Sequence, residues 1–191
     1  SEAIRKQFQK EQPKEVAKTD LVENQQALVE VDFVHLHNHS QFSVLQSTIS
    51  VADLVKAAIK NKMPAVAMTD IGNMMGAFHF VRDVLYHNKS AEAKNKAAIE
   101  AGENPTETII KPIVGCEFFV CENHKDKTRK DNGYQVVLLA KNKNGYHNLA
   151  KMSSIGFTEG FYYVPRIDKE VIQKYKEDII VLSGNLYGEI P

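Results

Sequence analysis

Three histidines at period two carry the first chemical signal, in Val34-His35-Leu36-His37-Asn38-His39-Ser40. Side chains alternate along an extended strand, so His35, His37 and His39 are expected to share one face. Neighbours on that face lie roughly 7 Å apart along the strand, close enough to converge on one metal ion or on two adjacent ions. A lone histidine on a half-exposed strand carries no such meaning. Three in register, ending where a strand should end, point to a metal site. In parallel α/β folds the carboxyl ends of strands gather functional groups, and His37 and His39 fall at such an end.

Other strand ends should supply the remaining donors. Asp70 closes a second short apolar run, Glu117 lies in a third, Gln135 begins a fourth and Asn185 follows a fifth. Two of these four are acids. The two amides are neutral and replace a carboxylate or an imidazole poorly at a transition-metal site.

The elements that must position these residues follow from local pattern. Residues 33–37, 65–68, 113–120, 136–140 and 179–182 read as strands. Residues 50–59 read as a helix with Ser50 as N-cap and apolar side chains at helical spacing. Helical patterns also cover 73–100, 146–154 and 169–176, with a break at Gly102-Glu103-Asn104-Pro105. Residues 124–133 form a charged loop. The alternation predicts an α/β fold with parallel strands. Residues 1–32 carry few large apolar side chains and read as an arm or linker, with one short helix interrupted at Pro13.

Composition bounds the function. The 191 residues suit one domain with a real core, and 24 basic residues balance 24 acidic ones. Zero net charge offers no general electrostatic footprint for nucleic acid. Cys116 and Cys121 sit in one apolar run and read as buried thiols, not a disulfide, which fits a reducing cytoplasm. No stretch is long and apolar enough to cross a bilayer, and the polar N-terminus lacks the apolar core of a secretory signal.

Several motifs in order resemble one family. They are His35-Leu36-His37-Asn38-His39-Ser40, Met63-Pro64-Ala65-Val66-Ala67-Met68-Thr69-Asp70, Gly72-Asn73-Met74-Met75-Gly76 and Lys111-Pro112-Ile113-Val114-Gly115-Cys116-Glu117. Asn144-Gly145-Tyr146-His147-Asn148-Leu149 and Leu182-Ser183-Gly184 continue the match. Together they are similar to the PHP (polymerase and histidinol phosphatase) domain of bacterial DNA polymerase III alpha subunits, across about residues 33–191. The resemblance implies a distorted (β/α)-type barrel of seven strands, here its first strands and helices, incomplete at the C-terminal end. It implies a metal cluster in intact members, some of which cut phosphoester bonds as phosphatases or 3′–5′ proofreading exonucleases. For the longer protein it implies Mg-dependent DNA synthesis, and partners among the rest of the polymerase chain, a proofreading exonuclease, other replisome subunits and DNA. Residues 89–108 look like an insertion, and the arm before Phe33 resembles the junction in versions with an exonuclease fused upstream.

The departures from that family matter as much. Metal-bearing members place an acid in a Leu-Asp-Gly context where this chain has Leu45-Gln46-Ser47, and a histidine where it has Ile71. They place a histidine at the position of Gln135 and a cysteine or histidine at that of Asn185. A final Asp-x-His would lie beyond Pro191. His37, His39 and Glu117 stand in ligand positions, as a vestigial site for a weakly held Zn or Mn ion. A structural and interaction module with negligible activity of its own is therefore expected. A working metal-dependent phosphoesterase or proofreading exonuclease is the alternative, and a DNA-binding module a third reading. Asp70 reads as orienting a ligand or capping the following turn, the cap being preferred. His79, His87, His124 and His147 are read as surface or helix residues, Tyr162 and Tyr163 as packing in a loop or against a neighbouring domain, and Gly72 and Gly76 as sites of tight turns.

Overall fold

The computed structural model describes residues 33–186 and 188; the arm expected over 1–32 lies outside the described residues. Helix α1 (Val51–Lys60) begins where the sequence places it, with the Ser50 hydroxyl accepting from the Asp53 N–H. Its buried residues Val51, Leu54, Val55 and Ala58 follow the i, i+3, i+4, i+7 stripe of a core-facing helix. Strand β1 (Ala65–Met68) is buried at every position, as a strand covered on both faces must be. Helix α2 (Ala77–Glu100) follows, then β2 (Lys111–Cys121), β3 (Tyr134–Ala140) and α3 (Lys143–Thr158). The described chain continues with β4 (Arg166–Asp168), α4 (Lys169–Tyr175) and β5 (Ile179–Leu182).

The five strands form a mixed sheet ordered β1-β2-β3-β5, with β4 on β2. The first part of β2 pairs parallel with β1, Ala65 opposite Lys111 through Met68 opposite Val114. Its second part pairs antiparallel with β3 and, at its end, parallel with β4. Strand β5 runs antiparallel to β3. The expectation of parallel strands therefore holds for two pairings and fails for two. The β2–β3 connection contains no helix, and a return without a crossover leaves the strands antiparallel. Helix α2 begins at Ala77 rather than at 73; the Asn73 side chain instead accepts from the Met75 N–H and donates to Phe42 O, holding a turn.

Two clusters of buried side chains stabilise this sheet. One gathers α1, β1 and α2 around Phe80, Val84, Met68 and Ile110. The other gathers β2, β3, α3 and β4 around Phe118, Leu138, Leu149, Met152 and Ile167. Arg166 is 1% exposed. It donates to the carbonyls of Gly160, Asp131, His124 and Asp126, fastening the charged loop before β3. A buried guanidinium demands such acceptors. On α2, Asn88 and Asn95 each clasp the returning chain with an amide pair. Asn88 exchanges bonds with the N–H and C=O of Ile110, and Asn95 with those of Glu107.

Candidate metal centre

Residues 33–39 run beside β1 without forming a regular strand. The Ala67 N–H donates to His35 O and the Thr69 N–H to Asn38 O. Three residues on one side thus face two on the other, which is a bulge. Asn38 completes it, its amide donating to Ala67 O at 2.9 Å while its N–H donates to Thr69 Oγ1. The extra residue breaks the alternation expected for the three histidines. His37 and His39 converge, and exposed His35 is not part of their cluster.

Their meeting point is Glu117. The Nε2 atoms of His37 and His39 lie 2.9 Å and 2.5 Å from Glu117 Oε2, and 3.2 Å from each other. Backbone pairing holds the glutamate: its N–H donates to Asp70 O, and its carbonyl accepts from the Gly72 N–H. Gly72 has φ +67° and would bring a Cβ within 2.6 Å of Pro165 Cγ, so both conformation and space require glycine there. Gly115, two residues before Glu117, lies so close to β3 that a Cβ would sit 2.7 Å from Leu138 O.

Of the two roles expected of Asp70, the preferred turn cap is not what its bonds form. It is 1% exposed. Its carboxylate accepts from the Ser40 N–H, the Ser40 hydroxyl and the Ser43 hydroxyl, each at 2.7 Å. The chain leaving His39 is thereby tied to the end of β1, while Ser47 Oγ donates to His39 O. Asp70 holds the backbone just after His39 and is not itself part of the cluster.

Burial pushes the Glu117 carboxyl upward, but hydrogen bonds from His37 and His39 and their charges outweigh it and hold the group at about 2. Its second oxygen, Oε1, is buried with no hydrogen-bond partner. A desolvated, unpartnered carboxylate oxygen costs on the order of 1–3 kcal/mol. A cation would satisfy it. Donors around a tetrahedral ion at ~2.0 Å stand about 3.3 Å apart, so the triangle of donors needs to open by less than an ångström. Two imidazoles and a carboxylate are an apt set for one divalent transition ion.

The positions expected to be depleted of ligands lie as follows. Ile71 bridges to Glu117 through the backbone. Gln135 pairs opposite Phe119, two residues from Glu117 and therefore on its face of the sheet. The Asn185 amide donates to Gln135 Oε1 at 3.1 Å. Gln46 is exposed in the loop after His39. Cys116 points away from Glu117; burial first, then the Asp70 and Glu117 carboxylates, raise its thiol well above the usual range.

His124 departs from its surface assignment. It is 6% exposed, and its Nδ1 is bonded to the Asp168 carboxylate. The same carboxylate caps α4 by accepting from the Val171 N–H. Burial acts to raise the Asp168 carboxyl, yet the hydrogen bonds from His124 and the backbone lower it overall. Asp168 ahead of Lys169-Glu170 is a legible N-cap signal; nothing local announces its second bond to His124.

The PHP domain family matches residues 35–191. The chain is 39% identical over 163 residues to the DNA polymerase III subunit alpha of Borreliella burgdorferi, covering 83% of this chain and 12% of that protein. It is 38% identical over 168 residues to the subunit of Treponema pallidum, covering 86% and 13%. For the subunit of Chlamydia muridarum the values are 36% over 162 residues, 83% and 11%. The chain thus spans about 12% of the length of the curated relatives it matches.

Proposed function

Since this chain belongs to the PHP domain family, we propose that it is the PHP part of a DNA polymerase III alpha subunit, acting as a structural and interaction module with a reduced metal centre. The carrying observation is the pairing of one buried carboxylate with two imidazoles, in a chain with neutral residues at 46, 71, 135 and 185, where the family resemblance implies ligands. Holding adjacent cations requires several anions, because like charges a few ångströms apart repel strongly in a low dielectric. One glutamate does not supply that charge. The Asn185 amide is already engaged with Gln135 Oε1, and both side chains are neutral.

In this reading His37, His39 and Glu117 hold a single Zn or Mn ion, and Asp70 keeps the two histidines aimed at it. A bound divalent ion supplies Lewis acidity and acidifies water. Among the described residues no second carboxylate joins the cluster to accept a proton or to anchor a second ion. The longer polypeptide would carry template-directed DNA synthesis in its other regions, with Mg as cofactor. Residues 33–191 form the PHP domain and 1–32 an arm, in contact with other replisome proteins in the cytoplasm. Among the described residues no helix is long and apolar enough to cross a membrane.

The test is a metal titration by calorimetry, followed by elemental analysis after gel filtration and a 3′–5′ exonuclease assay with added Mn or Zn. One equivalent or less of metal, and turnover no higher than that of His37→Ala, are expected. Two or more tightly held ions, or turnover well above that control, would favour the working phosphoesterase instead.

A further inference from the structure

We propose that the groove between α2 and the start of α3 docks a partner polypeptide segment rich in aliphatic side chains and carboxylates. The proposal deepens the interaction half of the function above and rests on it. The metal titration does not involve this surface, so the two readings fail separately.

Helix α2 has two apolar stripes where an ordinary surface helix has one. Ala77, Phe80, Val84 and Ala91 are buried in the core. Phe78, Val81 and Leu85, at i, i+3 and i+7, form the second stripe, and Tyr86 extends it. Phe78 is 71% exposed, Leu85 55% and Tyr86 80%. This stripe forms one wall of a groove of about 870 Å³ whose other surfaces include Pro112, Val114, Ala140 and Tyr146. A continuous exposed apolar surface of this kind marks an interaction site in a soluble protein.

The rim identifies the occupant. Every charged side chain lining the groove is a cation: Arg82, Lys89, Lys141 and Lys143. Arg82 pairs with Asp83 at 2.8 Å. Among the described residues, Lys89, Lys141 and Lys143 have no carboxylate partner. The N-terminus of α3 opens onto the same rim, adding the positive end of a 16-residue helix dipole. In a chain of zero net charge this is a local excess, and acidic side chains flanking an apolar stripe complement it. A second copy fits poorly, because a two-fold contact would set cationic rim against cationic rim. Single-stranded nucleic acid also fits less well. It stacks on flat aromatic faces beside its phosphates, and between Phe78, Tyr86 and Tyr146 this groove is lined by Val81, Leu85, Pro112 and Val114, which offer a base no stacking face.

The test uses the 191-residue chain. Phage-displayed random peptides are selected on it, and the most enriched sequence is synthesised and titrated by fluorescence anisotropy. Enrichment of aliphatic residues together with Asp and Glu is expected. Affinity should fall about tenfold or more in Leu85→Glu, as for a central anchor, and also in Lys141→Glu/Lys143→Glu. It should weaken between about 50 and 200 mM salt. Both variants alter exposed side chains, and circular dichroism verifies their folding. The proposal is overturned if no peptide is enriched, if basic peptides prevail, or if binding ignores both variants. It is equally overturned if labelled oligo(dT) binds more tightly through the two lysines, or if sedimentation reveals a dimer that Leu85→Glu dissociates.

Discussion

At the scale of single residues, the candidate centre depends on one carboxylate. Glu117→Gln should lower Zn affinity by about tenfold or more by calorimetry, and unchanged affinity would remove Glu117 from the site. The substitution also has an acid signature. Glu117 is held at about 2 against an ordinary 4.5. An acid depressed by folding contributes stability that is complete above its unfolded value and is lost as pH falls. Wild-type stability should therefore decline as pH drops from about 4.5 toward 2, and Glu117→Gln should flatten that decline in denaturant titrations. Asp70→Asn tests positioning. It replaces an acceptor of three hydrogen bonds by an amide that presents donors, costing about 1–3 kcal/mol. Metal affinity should fall with it although Asp70 is no ligand, whereas a merely structural role would leave affinity intact in the folded variant. The convergence of His37 and His39 on Glu117 was legible from spacing and resemblance together. The resemblance already left His35 out of that set; spacing alone did not, because a bulge depends on how Asn38 meets β1, and no local pattern records that. The burial of His124 was hidden for a similar reason: its partner Asp168 is 44 residues away.

Elements with strong local patterns were the most legible. Strands β1 and β5 and helix α1 stand within a residue of their expected bounds because apolar period and capping are properties of neighbours in sequence. Strand β4 escaped notice, since three residues carry no period. Strand direction was likewise hidden, being decided by the path of the connection between strands. The loop before β3 depends on Arg166, and Arg166→Met would leave four carbonyls without their donor. Amide exchange over residues 124–133 should then accelerate relative to β1. Equal protection in wild type and variant would show that the loop is held by other means. The Asn95 clasp permits a narrower measurement: Asn95→Ala should speed exchange at the Glu107 amide while leaving that of Ile110, held by Asn88, nearly unchanged.

For the molecule as a whole, β2 is common to everything described above. It exchanges partners partway along, from β1 to β3 and β4, and Glu117 stands just past that change. The two side-chain clusters share β2, so melting of one half loosens the strand on which the other is built. Heating should therefore give a single sharp calorimetric peak. Any ion on the glutamate should depart within that peak rather than ahead of it, because the same backbone that aligns the carboxylate also joins the two halves.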